Sequence, residues 1–102
     1  MPAYWLARSV IYDPAAYKRY TDQVPGIISQ FGGKVLGRGG RFQIMEGPQK
    51  WQRFVVLEFP TFEDGVSCFE SEAYKNAAAH RRASGVSEAE IVMLDAGEFT
   101  RA

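Results

Sequence analysis

Four charged residues stand in otherwise apolar strand registers, and they are the residues best placed to carry chemistry. Arg8, Arg38, Glu58 and Asp95 each alternate with apolar neighbours along a different predicted strand. If these registers share the interior of one sheet, two bases and two acids line a partly desolvated cavity. Such a set favours either the binding of a small polar or anionic molecule or a structural network of ion pairs that neutralises itself.

Arg38 is the strongest candidate for a ligand anchor, because Gly39 and Gly40 follow it directly. A guanidinium can hold both oxygens of a carboxylate or an enolate oxygen, and glycines let a ligand or a second backbone approach closely. We predict that Gly40 holds a β-bulge or a positive φ, that Arg38 points into the cavity, and that Glu58 is its nearest acidic partner.

His80 carries the one imidazole of the sequence and is, with Glu58, a candidate for a catalytic residue. An imidazole titrates near neutrality and suits a general base. At the end of a predicted helix, however, a histidine also caps free carbonyls, and Arg81 and Arg82 share this ambiguity between helix cap and pocket rim. The catalytic residues therefore stay open.

Several well-known motifs are excluded by their spacing. Gly32-Gly33-Lys34 lacks the other residues of a phosphate-binding loop, and Gly37-x-Gly39 lies inside a strand without the helix N-terminus that a dinucleotide needs. One histidine and one cysteine predict no metal site, and Cys68 has no adjacent base to make it a nucleophile. We therefore predict no metal and no cofactor.

The composition predicts one globular domain over residues 1–102. A chain of 102 residues with 46% hydrophobic residues is long enough for one core and too short for two ordinary ones. Twelve basic residues balance twelve acidic ones, which disfavours nucleic acid and anionic membranes as partners. A single cysteine, and no leader or long apolar run, predict a cytoplasmic protein.

The first half of the chain predicts a strand, a helix and the first arm of a hairpin. The strand runs from Ala3 to Tyr12, and Asp13-Pro14 then provides an N-cap and a first helical residue. An apolar stripe continues through this helix across Pro25, which predicts a kink or a restart near Val24 before Gly32-Gly33 caps the end, and the unbroken stripe favours the kink.

The second half predicts the rest of the hairpin, a second helical region and a last strand. The hairpin spans Lys34 to Pro60 with its turn at Gly47 to Lys50, and Thr61 then caps a helix that restarts at Ser71 and ends near Gly85. The last strand is Ala89 to Ala96, followed by a short polar tail from Gly97.

This βαββαβ order predicts an α+β ferredoxin-like sandwich with both helical regions on one face of an antiparallel sheet. Val55-Val56 and Ile91-Val92 make their strands apolar on both faces, so the face without helices also needs a cover. A second copy of the chain is the simplest cover. We therefore predict a homodimer.

One set of short motifs runs through nearly the whole chain: Asp13-Pro14-x-x-Tyr17, Gly32-Gly33, Arg38-Gly39-Gly40, Glu46-Gly47, Arg53-x-Val55-Val56-x-Glu58-Phe59-Pro60, and Ser71-x-x-Tyr74 with a following arginine. In these motifs the sequence resembles a known family, the domain-of-unknown-function 1330 family. The resemblance implies a dimeric α/β barrel in which the open faces of two ferredoxin-like sheets pack together. It implies no agreed reaction.

Two functions from different classes remain. The first is a small-molecule site in each half of a dimeric barrel, which could serve a cofactor-free enzyme acting on a polar, carbonyl-bearing compound. The second is a non-enzymatic binding or accessory protein whose inward charges form a structural ion-pair network. The tyrosines Tyr12, Tyr17, Tyr20 and Tyr74 are interpreted as packing aromatics with hydroxyls in contact with water.

Overall fold

A computed structural model describes residues 1–97 of the chain, so the predicted polar tail lies outside the described residues beyond Gly97. The elements follow in the order β1 (Ala3–Ile11), α1 (Pro14–Thr21), α2 (Val24–Gln30), β2 (Lys34–Arg38), β3 (Arg53–Phe59), α3 (Phe62–Glu70), α4 (Glu72–Arg82) and β4 (Ser87–Asp95). The predicted βαββαβ order is confirmed, with two consecutive helices at each helical position. No helix within residues 1–97 is long and apolar enough to cross a membrane.

The four strands form one antiparallel sheet in the order β2-β3-β1-β4. Trp5 of β1 is paired with Leu57 of β3 and Met93 of β4, and this register faces the helices. The intervening residues, such as Leu6 opposite Val56 and Val92, form the other face, which we call the open face. The α+β ferredoxin-like fold predicted from the sequence is confirmed.

The core lies between the helices and the inner face of the sheet. Trp5 is 1% exposed, and its ring packs edge-on against Tyr74 at 5.2 Å and against Phe69 at 5.6 Å, and stacks with Phe59 at 6.0 Å. Because aromatic side chains bury large apolar areas, this cluster supplies much of the packing that holds α3 and α4 on β1 and β3.

Side-chain caps fix where three of the helices begin, as the sequence predicts. The Asp13 carboxylate accepts a hydrogen bond from the Ala16 backbone N–H at 3.1 Å, and Pro14 occupies the first helical position. The Thr61 and Ser71 hydroxyls accept from the backbone N–H groups three residues later, at 3.0 Å and 3.1 Å. Each cap satisfies a donor that the helix itself leaves free.

Of the two outcomes predicted near Val24, the restart is confirmed and the favoured kink is wrong, because α1 and α2 are two separate helices. Asp22 and Gln23 form a turn between the two helices, and Pro25 lies in the first turn of α2. Proline has no N–H to donate to the carbonyl of Thr21 four residues earlier, so the helix ends at Thr21 and restarts. The apolar stripe keeps its register across this break, which is why the periodicity alone suggested one continuous helix.

The long hairpin predicted over Lys34 to Pro60 is shorter in the structure. Strand β2 ends at Arg38 and β3 begins at Arg53, and residues 39–52 between them form an irregular loop instead of a tight turn at Gly47 to Lys50. Gly39 has a φ of +67°, a left-handed conformation that turns the chain out of the sheet at this point.

The prediction that Gly40 holds a bulge or a positive φ is also wrong. The positive φ belongs to its neighbour Gly39, and the bulge lies earlier, where the register of β2 shifts between Val35 and Gly37. A Cβ atom at Gly40 would have no neighbour within 4 Å. Gly40 therefore carries no steric constraint.

Candidate functional site

A cavity lies between the inner face of the sheet and the helices α1, α2 and α4. Its apolar wall is formed by strand residues such as Trp5, Val55 and Ile91 and by Val24 and Ile28 of α2. The open space inside it is about 50 Å³, compared with the roughly 10–15 Å³ that one water molecule requires. The cavity has room for a small organic group.

Four arginines line this cavity, each from a different element: Arg8 of β1, Arg38, Arg53 and Arg81. Arg38 at the end of β2 is exposed and lies at the edge of the cavity, while Arg53 at the start of β3 is half-buried. Arg81 in the last turn of α4 is only 8% exposed. The lining residues, all of them within the described chain, include no aspartate or glutamate. The cavity therefore has a positive electrostatic character.

The buried guanidinium groups lack the partners that such groups normally have. The Nε atoms of Arg53 and Arg81 are buried and make no hydrogen bond within residues 1–97. The ion pairs within residues 1–97 join Arg8 to Glu90, Lys18 to Asp22 and Lys50 to Glu88. None of these pairs involves Arg53 or Arg81. A buried charge without a counter-charge is costly, and no acidic side chain in residues 1–97 offsets this cost for Arg53 or Arg81.

Two tyrosines of α1 lie beside these arginines. The Arg53 guanidinium is 5.9 Å from the ring centre of Tyr17, and the Arg81 guanidinium is 5.2 Å from that of Tyr20. The Tyr20 hydroxyl is 2.7 Å from the Tyr74 hydroxyl, which accepts a hydrogen bond from Arg81 at 3.2 Å. Contacts between cations and ring faces hold the guanidinium groups in place without neutralising them.

Burial raises the pKa of Tyr20 well above its usual range, and the neighbouring Tyr74 adds to this effect. The Tyr20 hydroxyl therefore stays protonated at neutral pH and can donate a hydrogen bond. Together the arginines and tyrosines provide donors along one side of the cavity and an apolar surface along the other, which suits an organic anion with an apolar body.

The bulge in β2 explains how Arg38 comes to the cavity. Val35 pairs with Leu57 on the inner face, and an unbroken ladder from there would place Arg38 opposite Phe54 on the open face. The register shift places Arg38 opposite Val55 instead, and Val55 lines the cavity. One extra residue in a strand moves every later side chain to the opposite face.

The structure brings two of the four predicted charged residues, Arg8 and Arg38, to the cavity lining. Glu58 lies on the open face opposite Tyr4, and Asp95 is exposed opposite Ala3 at the far end of β1. The predicted pairing of Arg38 with Glu58 is wrong, because Lys34 is the β2 residue opposite Glu58. In an antiparallel pair the end of the first strand meets the start of the second, and Glu58 lies near the end of β3.

Arg8 has a partner of its own outside the cavity. Its guanidinium donates to the Glu90 carboxylate at 2.7 Å and lies 4.5 Å from the ring centre of Trp51, with the Lys50 ammonium 4.7 Å from the same ring. Trp51 is 4% exposed. This cluster fastens the 39–52 loop to the sheet, so the charge on Arg8 has a structural explanation.

The remaining predicted residues do not line the cavity. His80 lies half-buried in the last turn of α4, next to Arg81 in sequence but outside the cavity lining. Gly39 and Gly40 are exposed in the loop after β2, although a Cβ at Gly39 would lie 3.2 Å from the Arg53 guanidinium. No group of three or more histidine, cysteine, aspartate or glutamate side chains in residues 1–97 lies where it could hold a metal ion.

Arg53, Tyr17 and Tyr20 line the cavity, although the sequence did not indicate them as cavity residues. Arg53 alternates with Val55 and Leu57, a charged residue in an apolar register of the kind that selected the other four candidates. Tyr17 and Tyr20 lie on the apolar stripe of α1 and differ from ordinary core residues only by their hydroxyl groups. Arg81 was identified as a residue that could turn to a pocket rim, and the structure places it in the cavity lining.

The fold and the cavity together define a small ferredoxin-like α+β protein with an arginine-lined space between helices and sheet. The chain belongs to the DUF1330 family, a domain of unknown function, whose model matches residues 2–96. The resemblance found in the sequence is confirmed. No curated protein matches the sequence.

Solved structures share the fold at low sequence identity. A protein of unknown function from Rhodopseudomonas palustris aligns with a TM-score of 0.73 at 24% identity, covering 92% of this chain and 81% of that one. A dimeric protein of unknown function with a ferredoxin-like fold from Bacteroides fragilis gives 0.60 at 9% identity, with coverages of 92% and 95%. SnoaB, a cofactor-independent oxygenase from Streptomyces nogalater, gives 0.60 at 13% identity, with coverages of 99% and 98%. These likenesses establish the fold.

Proposed function

We propose that the protein binds a small organic anion in the cavity between the helices and the inner face of the sheet. The observation that carries this proposal is Arg81, a guanidinium that is 8% exposed and has no acidic partner in residues 1–97. Arg53 and Arg38 add positive charge around the same space. A bound carboxylate supplies the missing counter-charge.

The arrangement supports binding more strongly than general-base catalysis. His80 and Glu58, the two candidates for a catalytic residue, lie outside the cavity lining. Within the described chain the polar lining consists of arginines, tyrosines, Ser9 and Thr21, which at neutral pH donate hydrogen bonds rather than remove protons. We therefore develop the binding of a small anion without a catalytic step.

Isothermal titration calorimetry with a series of carboxylates tests this proposal. We expect acetate, butyrate or benzoate to bind, and the corresponding neutral amides to bind more weakly, because a charged acceptor strengthens hydrogen bonds to guanidinium groups. Arg81→Met keeps the apolar stem and removes the charge, so it should lower the carboxylate affinity by roughly tenfold or more.

Arg19→Met is the matched control, because Arg19 lies on the exposed side of the same helix that carries Tyr17 and Tyr20. The control should bind carboxylates as the parent does. Thermal unfolding separates binding from structure: without ligand, Arg81→Met should melt no lower than the parent, since it removes an unpaired buried charge. A large loss of stability in Arg81→Met, with no carboxylate bound by the parent, would show that Arg81 is structural.

We also propose that the protein is a homodimer whose two copies meet through their open faces. Leu6 is 37% exposed, Val92 is 57% exposed and Leu94 is 50% exposed on this face, while the helices within residues 1–97 cover the other. Apolar area removed from water stabilises association by roughly 25 cal/mol per Å². A second copy offers the same apolar surface, as the symmetry of a two-fold interface requires.

Analytical ultracentrifugation tests the dimer. The parent should sediment as a dimer at micromolar concentration, and Val92→Asp should sediment as a monomer because it places a charge in the centre of the apolar surface. Arg19→Asp makes a larger change of charge on the exposed surface of α1 and should leave the dimer intact. A parent protein that stays monomeric would overturn this part of the proposal.

A further inference from the structure

The hydroxyl groups of Tyr20 and Tyr74 and the guanidinium of Arg81 form a row of hydrogen bonds beside the cavity. The two hydroxyl oxygens are 2.7 Å apart, and a terminal nitrogen of Arg81 lies 3.2 Å from the Tyr74 oxygen. Tyr20 and Arg81 line the cavity, whereas Tyr74 does not and is 0% exposed. Tyr74 therefore links two cavity residues without lining the cavity itself.

The chemistry of the groups fixes the direction of this row. A guanidinium has only donors, so the Tyr74 oxygen must accept from Arg81. If Tyr20 also donated to that oxygen, the Tyr74 hydrogen would need another acceptor, and residues 1–97 place none within hydrogen-bonding distance. An unpaired buried hydroxyl costs about 1–3 kcal/mol. The favoured direction therefore runs from Arg81 to Tyr74 and from Tyr74 to Tyr20.

In this direction the hydrogen of the Tyr20 hydroxyl is free for the cavity. We propose that Tyr20 donates the hydrogen bond that recognises a carboxylate in the cavity, and that Tyr74 is a positioning residue that directs the Tyr20 hydroxyl toward it. The positive charge at the start of the row polarises each hydroxyl in turn, which strengthens the last donor. The high pKa of Tyr20 agrees with a group that donates and does not ionise.

This inference rests on the proposed function and specifies the ligand further. Arg81 and Tyr20 both line the cavity, with the guanidinium 5.2 Å from the Tyr20 ring centre, and two donor side chains this close suit the two oxygens of one carboxylate. The remaining wall of Trp5, Val55 and Ile91 is apolar. The ligand class is therefore a small monocarboxylic acid whose other end is hydrocarbon.

The test compares carboxylate and amide binding in three single variants, using butyrate and butyramide in calorimetry. Tyr20→Phe should weaken butyrate binding by roughly tenfold, because it removes the hydrogen bond to the ligand itself. Tyr74→Phe should weaken it by about threefold, because it removes the hydrogen bond that orients the Tyr20 hydroxyl. In both variants the loss should be larger for butyrate than for butyramide. Tyr12→Phe is the control, because Tyr12 is 62% exposed and lies outside the cavity lining.

Near-ultraviolet difference spectroscopy gives a second readout of the same hydrogen bond. Butyrate binding should change the absorption of one tyrosine in the parent, and this difference spectrum should vanish in Tyr20→Phe and persist in Tyr12→Phe. The inference falls if Tyr74→Phe binds butyrate as the parent does, or if it loses butyrate and butyramide equally, as a packing role predicts. In those cases the proposed function stands. If the parent binds no carboxylate, both fall.

Discussion

Gly39 needs a backbone conformation that favours glycine, whereas its neighbour Gly40 does not. Replacing each with alanine tests how the chain leaves β2. Gly39 has a φ of +67°, whereas Gly40 is not among the glycines with a positive φ. For residues with a Cβ the left-handed conformation costs roughly 1–2 kcal/mol. At Gly40 an added Cβ has no neighbour within 4 Å, so alanine there should change stability little or stabilise by roughly 0.4–1 kcal/mol.

The Cβ of Gly39→Ala would also lie 3.2 Å from a terminal nitrogen of Arg53, closer than an ordinary contact. The end of an arginine side chain can move, so this contact adds little to the loss of stability, but it shifts Arg53. We expect Gly39→Ala to unfold about 4–8 °C below the parent, since 1 kcal/mol corresponds to roughly 4 °C in a domain of this size. Gly40→Ala should unfold at or slightly above the parent temperature.

Circular dichroism at one fixed protein concentration measures both variants, because the proposed self-association would make the melting temperature depend on concentration. Urea unfolding of the same samples gives the free energies directly. If Gly39→Ala and Gly40→Ala unfold at the same temperature, the positive φ at Gly39 does not constrain the fold, and the account of how β2 ends is wrong.

Three further predictions concern close packing, pH and the loop. Gly33→Ala should destabilise by roughly 1–3 kcal/mol in urea unfolding, because its Cβ would lie 2.5 Å from Ile28 and 2.8 Å from Phe59. Burial raises the pKa of Cys68 from 9.0 to about 11. As the pH rises, the Cys68 thiol ionises in the unfolded chain before it ionises in the folded one. The free energy of unfolding should therefore fall by on the order of 2–3 kcal/mol between pH 9 and 11, and Cys68→Ala should not show this fall. Trp51→Ala should speed amide exchange in the 39–52 loop, with α4 as the internal control.

Local signals in the sequence predicted the elements well. The caps at Asp13, Thr61 and Ser71 act on backbone groups three residues away, so their geometry follows from a few adjacent residues. The strands were found from runs of β-branched and aromatic residues. The break before Pro25 was harder to judge, because the apolar stripe continues through two separate helices.

The cavity depends on features that local patterns do not fix. Strands β3 and β4 are apolar on both faces, so alternation could not show that Glu58 faces away from the helices while Arg53 faces them. The bulge in β2 then moved Arg38 to the inner face, against simple alternation. The row from Arg81 to Tyr20 joins α1 to α4 and exists only in the packed structure.

The separation of α1 from α2 has a consequence for how fast a ligand can enter and leave. Helix α2 has seven residues and no side-chain cap at its start, so little of its stability is its own. It also forms part of the cavity wall through Val24, Pro25 and Ile28. Brief local unfolding of this one segment opens the wall while the sheet and α4 stay in place. For the ligand proposed above, we therefore expect the lifetime of the bound state to follow the local stability of α2.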